Sequence, residues 1–203
     1  MKHRLTLFSD AVYAIIITLM VLDLRTPETP GWYGWWHLLP RLGGYAATFA
    51  LLLVIWLHHH HMFCRVREIN RAMFWFNGGA LFFSSLLPWT LRSIIEHPHD
   101  PTAYIVYQII AWNAMTGMIW FRLSASKTHG SDPGWKEWCR KRNRVAAIGT
   151  LQATVFCALT FVYLPAAIAI YVAMLIFLVV SMDISASSGA MATEETAERN
   201  PQP

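Results

Sequence analysis

Residues 4–24 read RLTLFSDAVYAIIITLMVLDL, which sets an arginine, a hydroxyl and a carboxylate at the head of an apolar helix. Lipid offers Asp10 no hydrogen bond, so an ionisable side chain at membrane depth signals a partner, a water-filled cavity or an ion path. At about 100° per residue, Ala11, Ile15, Thr18, Leu19 and Leu22 fall on one narrow stripe, and Asp10 lies about 140° from Ile15, on the side of Tyr13 and Ile17. One helix cannot aim both at the same place. If the aliphatic stripe faces an axis, Asp10 faces the protein. The apolar run from Ala11 to Leu22, interrupted only by Thr18, is short for a lipid-facing span and suits a helix whose ends meet water in a vestibule.

The remaining chain carries the same character. It has 203 residues, 55% hydrophobic and 14% charged, with a mean hydropathy of +0.36, too apolar for an ordinary soluble domain of this length. Six segments approach the length needed to cross a bilayer: 6–24, 42–63, 72–95, 102–123, 144–163 and 166–184. The fold class expected is therefore an all-α membrane protein with six transmembrane helices. Thirteen of the sixteen Lys and Arg residues fall at the N-terminus, in alternate connections and in the C-terminal tail. Only Arg25, Arg41 and Arg92 lie on the other side, which predicts both termini cytoplasmic by the positive-inside rule. The net charge of +4 follows this membrane pattern and does not point to nucleic acid. Cys64, Cys139 and Cys157 share no metal-ligand spacing and indicate neither a disulfide framework nor a zinc site. The first segment ends in Asp23 and Arg25 with no small-residue cleavage site, as expected of a retained helix.

Between the segments, residues 26–36, with Trp32, Tyr33, Trp35 and Trp36, read as an outer interfacial turn anchored at headgroup level. Leu164 and Pro165 read as the turn of a tight outer hairpin. Residues 1–184 read as one six-helix unit, and 185–203, rich in Ser, Ala, Glu and Pro, read as a disordered cytoplasmic tail. On the third segment, Asn77, Gly78 and Gly79 permit close helix contact and an interhelical amide bond, and Pro88 bends the helix. His58 to His61 end the second segment. Successive helical residues diverge by about 100°, so these four imidazoles cannot close a metal site within one chain.

Arg4, Phe8, Ser9 and Asp10 match an RxxxFSD signature, and Trp56, His59, His60 and Phe63 match WxxHHxxF. On these residues the chain resembles the transmembrane protein 175 family of potassium channels, specifically its bacterial members with a single six-helix unit. The resemblance implies a homotetramer in the bacterial inner membrane, its central pore lined by four first helices. It assigns Ile15 to the hydrophobic constriction, Thr18 to selectivity, and Leu19 and Leu22 to the rest of the lining. Arg4, Phe8, Ser9, Asp10, Trp56 and His59 would form a cytoplasmic-side network bracing the pore helix, with His58 and His61 left unassigned. The permeant species implied is K+, with no cofactor, no resident metal and no covalent chemistry.

Residue chemistry leads the same way. A ring of isoleucines offers a dehydrating passage with no oxygen ligands, which favours the cation that sheds water more readily, potassium over sodium. No TVGYG filter is present, since Gly43, Gly44 and Tyr45 stand in the wrong order. Asp23 either concentrates cations at the outer mouth or pairs with Arg25. Two other readings compete: a membrane metalloprotein or oxidoreductase built on His58 to His61, and a proton-coupled carrier using Asp10 and His59 as relay groups.

Overall fold

The computed structural model describes residues 1–129 and 133–180. Among these, α1 (Lys2–Leu19) runs into a short 3-10 turn, Met20–Asp23, and is followed by α2 (Trp32–Arg65), α3 (Arg71–Ser85) and α4 (Leu87–Glu96). After these come α5 (Pro101–His129), α6 (Pro133–Val162) and α7 (Leu164–Val180). The tail at 185–203 and the end of the sixth segment lie outside the described residues.

Three helical stretches meet both the length and the hydropathy needed to cross a membrane, Lys2–Asp23, Trp32–Arg65 and Pro133–Val162, and Leu164–Val180 is a shorter apolar helix. The third expected segment is two helices. Leu86 interrupts it, with its N–H turned to the carbonyls of Phe83 and Ser84, and Pro88 follows in the first turn of α4, where a missing N–H costs nothing. The α5 segment is long, but Gln108, Asn113 and Thr116 dilute its hydropathy.

Two boundaries differ from the sequence expectation. The aromatic stretch read as a turn is already helix from Trp32. Gly31, at φ 86°, supplies the left-handed residue that starts α2, and a Cβ on Gly34 would strike the Thr29 carbonyl folded beneath it. Trp32, Tyr33, Trp35 and Trp36 remain exposed on those first turns. The second difference is at the last hairpin, which breaks at Tyr163; Leu164 is already helical and Pro165 sits in the first turn of α7.

The core forms where α1 to α5 meet. One cluster joins Tyr13, Ile16 and Met20 of α1 to Leu52 and Ile55 of α2, Leu81 of α3, Leu87 and Leu91 of α4, and Ala114 of α5. A second, toward the N-terminal end of α1, joins Leu5 to Met62, Phe63, Met73 and Phe121. Buried hydroxyls pair with each other: Thr48 meets Tyr107 at 2.9 Å, and Tyr107 meets Tyr171 at 3.0 Å, linking α2, α5 and α7.

The closest helix contact is not where the sequence reading set it. A Cβ on Gly78 or Gly79 would meet nothing within 4 Å, because both face away from the bundle. Gly117 of α5 is the glycine crowded by a neighbouring helix: a Cβ there would stand 2.8 Å from Ala80 Cβ and 3.1 Å from Ala80 Cα. Gly117→Val should destabilise the folded chain by about 2–3 kcal/mol, because backbone on both sides must move to admit it. Thermal unfolding in detergent measures this, and Gly78→Val should leave the midpoint unchanged.

Candidate functional site

The two faces of α1 do separate jobs. Leu5, Ser9, Tyr13, Ile16 and Met20 recur at three- and four-residue spacing and are all buried. On the opposite side, Ala11, Ile15, Thr18, Leu19 and Leu22 are exposed in the single chain, Ile15 and Leu19 each at 55% and Leu22 at 76%. Phe8 continues this exposed face at 59%. A large apolar stripe on the first helix, uncovered by its own chain, needs lipid, another copy or a water-filled path to face.

Thr18 shows how a hydroxyl is tolerated on that stripe. Its Oγ1 donates back to the Ala14 carbonyl at 2.8 Å and lies 3.1 Å from that of Ile15. The proton is thus committed to the helix, and the oxygen lone pairs point outward, able to accept water or a cation.

The buried face is held by polar contacts. Trp56 Nε1 of α2 donates to Asp10 Oδ1 at 2.9 Å, giving the carboxylate a partner within the bundle. Beside it runs a directional chain across three helices. Asn77 Nδ2 donates to Ser9 Oγ at 3.0 Å, so its Oδ1 is free to accept from His59 Nε2 at 2.8 Å, and Ser9 Oγ passes its own proton to the Leu5 carbonyl at 2.9 Å. Ser9, His59 and Asn77 are 0%, 0% and 1% exposed, respectively, so no water completes their valences from outside. The His59 ring stacks on Phe63 at 4.3 Å between centroids and meets Tyr13 edge-on at 5.6 Å. Of the six residues expected in this network, Ser9, Asp10, Trp56 and His59 are brought together, whereas Arg4 and Phe8 are exposed away from it. Asn77, which the sequence reading treated as a packing device, joins Ser9 to His59. The signal for this was an amide at the same membrane level as the histidine run.

The histidines do not converge. His58 Nδ1 turns to the Val54 carbonyl at 3.0 Å and its Nε2 meets Arg142 at 2.9 Å. His59 points to Asn77, and His60 is exposed near Cys64. Among the described residues no group of three or more His, Cys, Asp or Glu side chains is arranged to hold a metal ion. At the other end of α1, Asp23 lies 3.9 Å from Arg92, which also binds Glu96 at 2.9 Å. The partner of Asp23 is therefore Arg92 of α4 and not its sequence neighbour Arg25, because the 3-10 turn carries Asp23 over α4.

Comparison with known proteins adds a lineage to this geometry. The family model described as endosomal/lysosomal potassium channel TMEM175 matches residues 4–88, which run from α1 into α4 and include every residue of the buried network. A potassium channel of Chryseobacterium is 44% identical over 87 residues, 43% of this chain and 45% of its own length. A potassium channel of Streptomyces collinus is 29% identical over 177 residues, 82% of this chain and 85% of its own. The rat endosomal/lysosomal proton channel TMEM175 is 33% identical over 117 residues, only 22% of its length. These relatives are named as channels and not as enzymes. Among solved structures, a lysosomal potassium-selective channel TMEM175 homolog from Chamaesiphon minutus superimposes with a TM-score of 0.78, covering 89% of this chain and 97% of that one. At 23% identity this last likeness is one of fold. With the family model spanning the network at 4–88 and a potassium channel of 29% identity aligned along most of its length, the chain is similar to the TMEM175 family through its first helices and shares the fold of a solved homolog.

Proposed function

We propose that the chain is a potassium-preferring cation channel that conducts passively through a pore lined by four copies of α1 in a homotetramer. The observation that carries this reading is the division of α1. Its buried face is fully occupied by α2, α3 and α4, and Ile15, Thr18, Leu19 and Leu22 are left uncovered on the other. Four such faces about an axis give a ring of Ile15 side chains as a dehydrating constriction, with Thr18 oxygens one turn further on. Leu19 and Leu22 continue the lining toward the outer mouth. Ser9, Asp10, Trp56 and His59 hold the helix from behind, so the charged and aliphatic faces do not exchange. Arg4 and Phe8, exposed in the single chain, lie on the part of α1 that a neighbouring copy would reach. Residues 1–184 form the channel unit, lodged in the bacterial inner membrane with both termini cytoplasmic; the bacterial relatives and the distribution of Lys and Arg support that orientation.

Liposomes reconstituted with the full chain should release potassium down its gradient when a counter-ion path is provided, and release sodium more slowly. Flux no greater than that of empty liposomes, in repeated preparations that retain a folded oligomer, overturns the reading.

A further inference from the structure

Away from the α1 face, α2, α5, α6 and α7 enclose a cavity of about 100 Å³. Its body is apolar, made by Leu51, Ala111, Met115, Met174, Leu175 and Leu178. Its end is cationic: Arg122 from α5 and Arg142 from α6 line it together with His58. Among the described residues no Asp or Glu lines this space.

Among the described residues, only neutral groups meet the two guanidiniums. Arg122, 6% exposed, donates from Nη2 to Asn143 Oδ1 at 2.6 Å, and its buried Nε has no acceptor. Arg142 donates from Nη1 to His58 Nε2 at 2.9 Å and lies 5.9 Å above the ring of Trp138. Because His58 Nδ1 faces the Val54 carbonyl, the ring presents a lone pair to Arg142 and brings no negative charge. Gln108 Oε1 and Gln152 Nε2 in the same lining also lack partners. Buried cations are ordinarily paired and buried donors ordinarily satisfied, so Arg122 Nε and Gln152 Nε2 call for an acceptor that an anion supplies, whereas Gln108 Oε1, itself an acceptor, is not completed by one.

We propose that the cavity binds an oxyanion between Arg122 and Arg142, either the phosphate of an anionic lipid headgroup or free inorganic phosphate. A phosphate brings several acceptor oxygens, enough for Arg122 Nε, the Arg142 fork and Gln152 Nε2 at once. The apolar body beside the cationic end fits the start of an acyl chain, which favours the lipid source. The position agrees: Arg122 and Arg142 belong to the basic connection assigned to the cytoplasmic side, where anionic headgroups collect.

The test uses the full chain purified in detergent with mixed phosphatidylcholine and phosphatidylglycerol and weighed by native mass spectrometry. One phosphatidylglycerol per chain should survive conditions that strip phosphatidylcholine, with at least a tenfold preference. Arg122→Gln and Arg142→Gln should each lower that preference about tenfold, and Lys136→Gln, on the exposed face of α6, should not. In a second arm, inorganic phosphate is compared with chloride at matched ionic strength. A raised thermal midpoint in the wild type that is absent in Arg122→Gln identifies the free anion as occupant. Equal retention of the two lipids together with no phosphate shift in the wild type overturns the proposal without any variant having to fold. Undiminished binding in both arginine variants overturns it as well.

Discussion

Replacing Ile15 by Asn should bring potassium and sodium fluxes through reconstituted protein close to equality and raise both roughly tenfold or more. The effect comes from what the ring asks of an ion. Aliphatic side chains offer no oxygen, so a cation passing Ile15 gives up hydration without replacement, and the cost falls more heavily on the more tightly hydrated sodium. An amide supplies a hydrogen-bonding group worth about 1–3 kcal/mol, and about 1.4 kcal/mol off a barrier is a factor of ten in rate. Stability of the single chain should change little, because Ile15 is 55% exposed and lies outside the buried core. The adjacent residue is the control: Ile16, 7% exposed in the main core, should not tolerate Asn, and Ile16→Asn should fail to give folded protein. Unequal fluxes retained in Ile15→Asn, measured as potassium and sodium efflux from matched liposomes, would move the constriction to another residue.

The contrast between Ile15 and Ile16 was legible in the sequence because it rests on helical period alone. Asp10 lies far from the aliphatic stripe around the helix, and the structure gives it Trp56 as a partner on the buried side. What the period cannot tell is which neighbour fills each gap. Gly78 and Gly79 looked like the close contact, yet Gly117 against Ala80 is the crowded one. The spacing of Ala111, Ala114, Gly117 and Ala125 along the buried face of α5 was the available signal, and it becomes readable only once one knows that α3 lies across that face. The surroundings of two arginines were out of reach in a similar way. Counting Arg122 and Arg142 as orientation charges says nothing of their packing, and the structure buries one and half-buries the other at the end of a cavity. The pairing of Asp23 likewise depended on a 3-10 turn that no local pattern announces.

A large loss of stability is also expected at Asn77, where Asn77→Ala should cost about 2–4 kcal/mol. This side chain is the only link between Ser9 and His59 in the described network, and it lies at 1% exposure. Its two bonds are unequal. Ser9 keeps its bond to the Leu5 carbonyl when the amide is lost. His59 does not recover, because its Nδ1 already has no partner and Nε2 would join it, leaving a fully buried imidazole with neither nitrogen bonded. Most of the penalty is therefore the desolvation of His59, which makes a specific prediction about the double variant. Removing both partners with apolar residues of similar shape, Asn77→Leu with His59→Phe, should be distinctly less destabilising than the sum of the two single changes. Denaturant or thermal unfolding in detergent gives the four midpoints of that cycle. Additive losses would mean that the amide and the imidazole act independently, leaving the Asn77–Ser9 bond as the amide's contribution to holding α1.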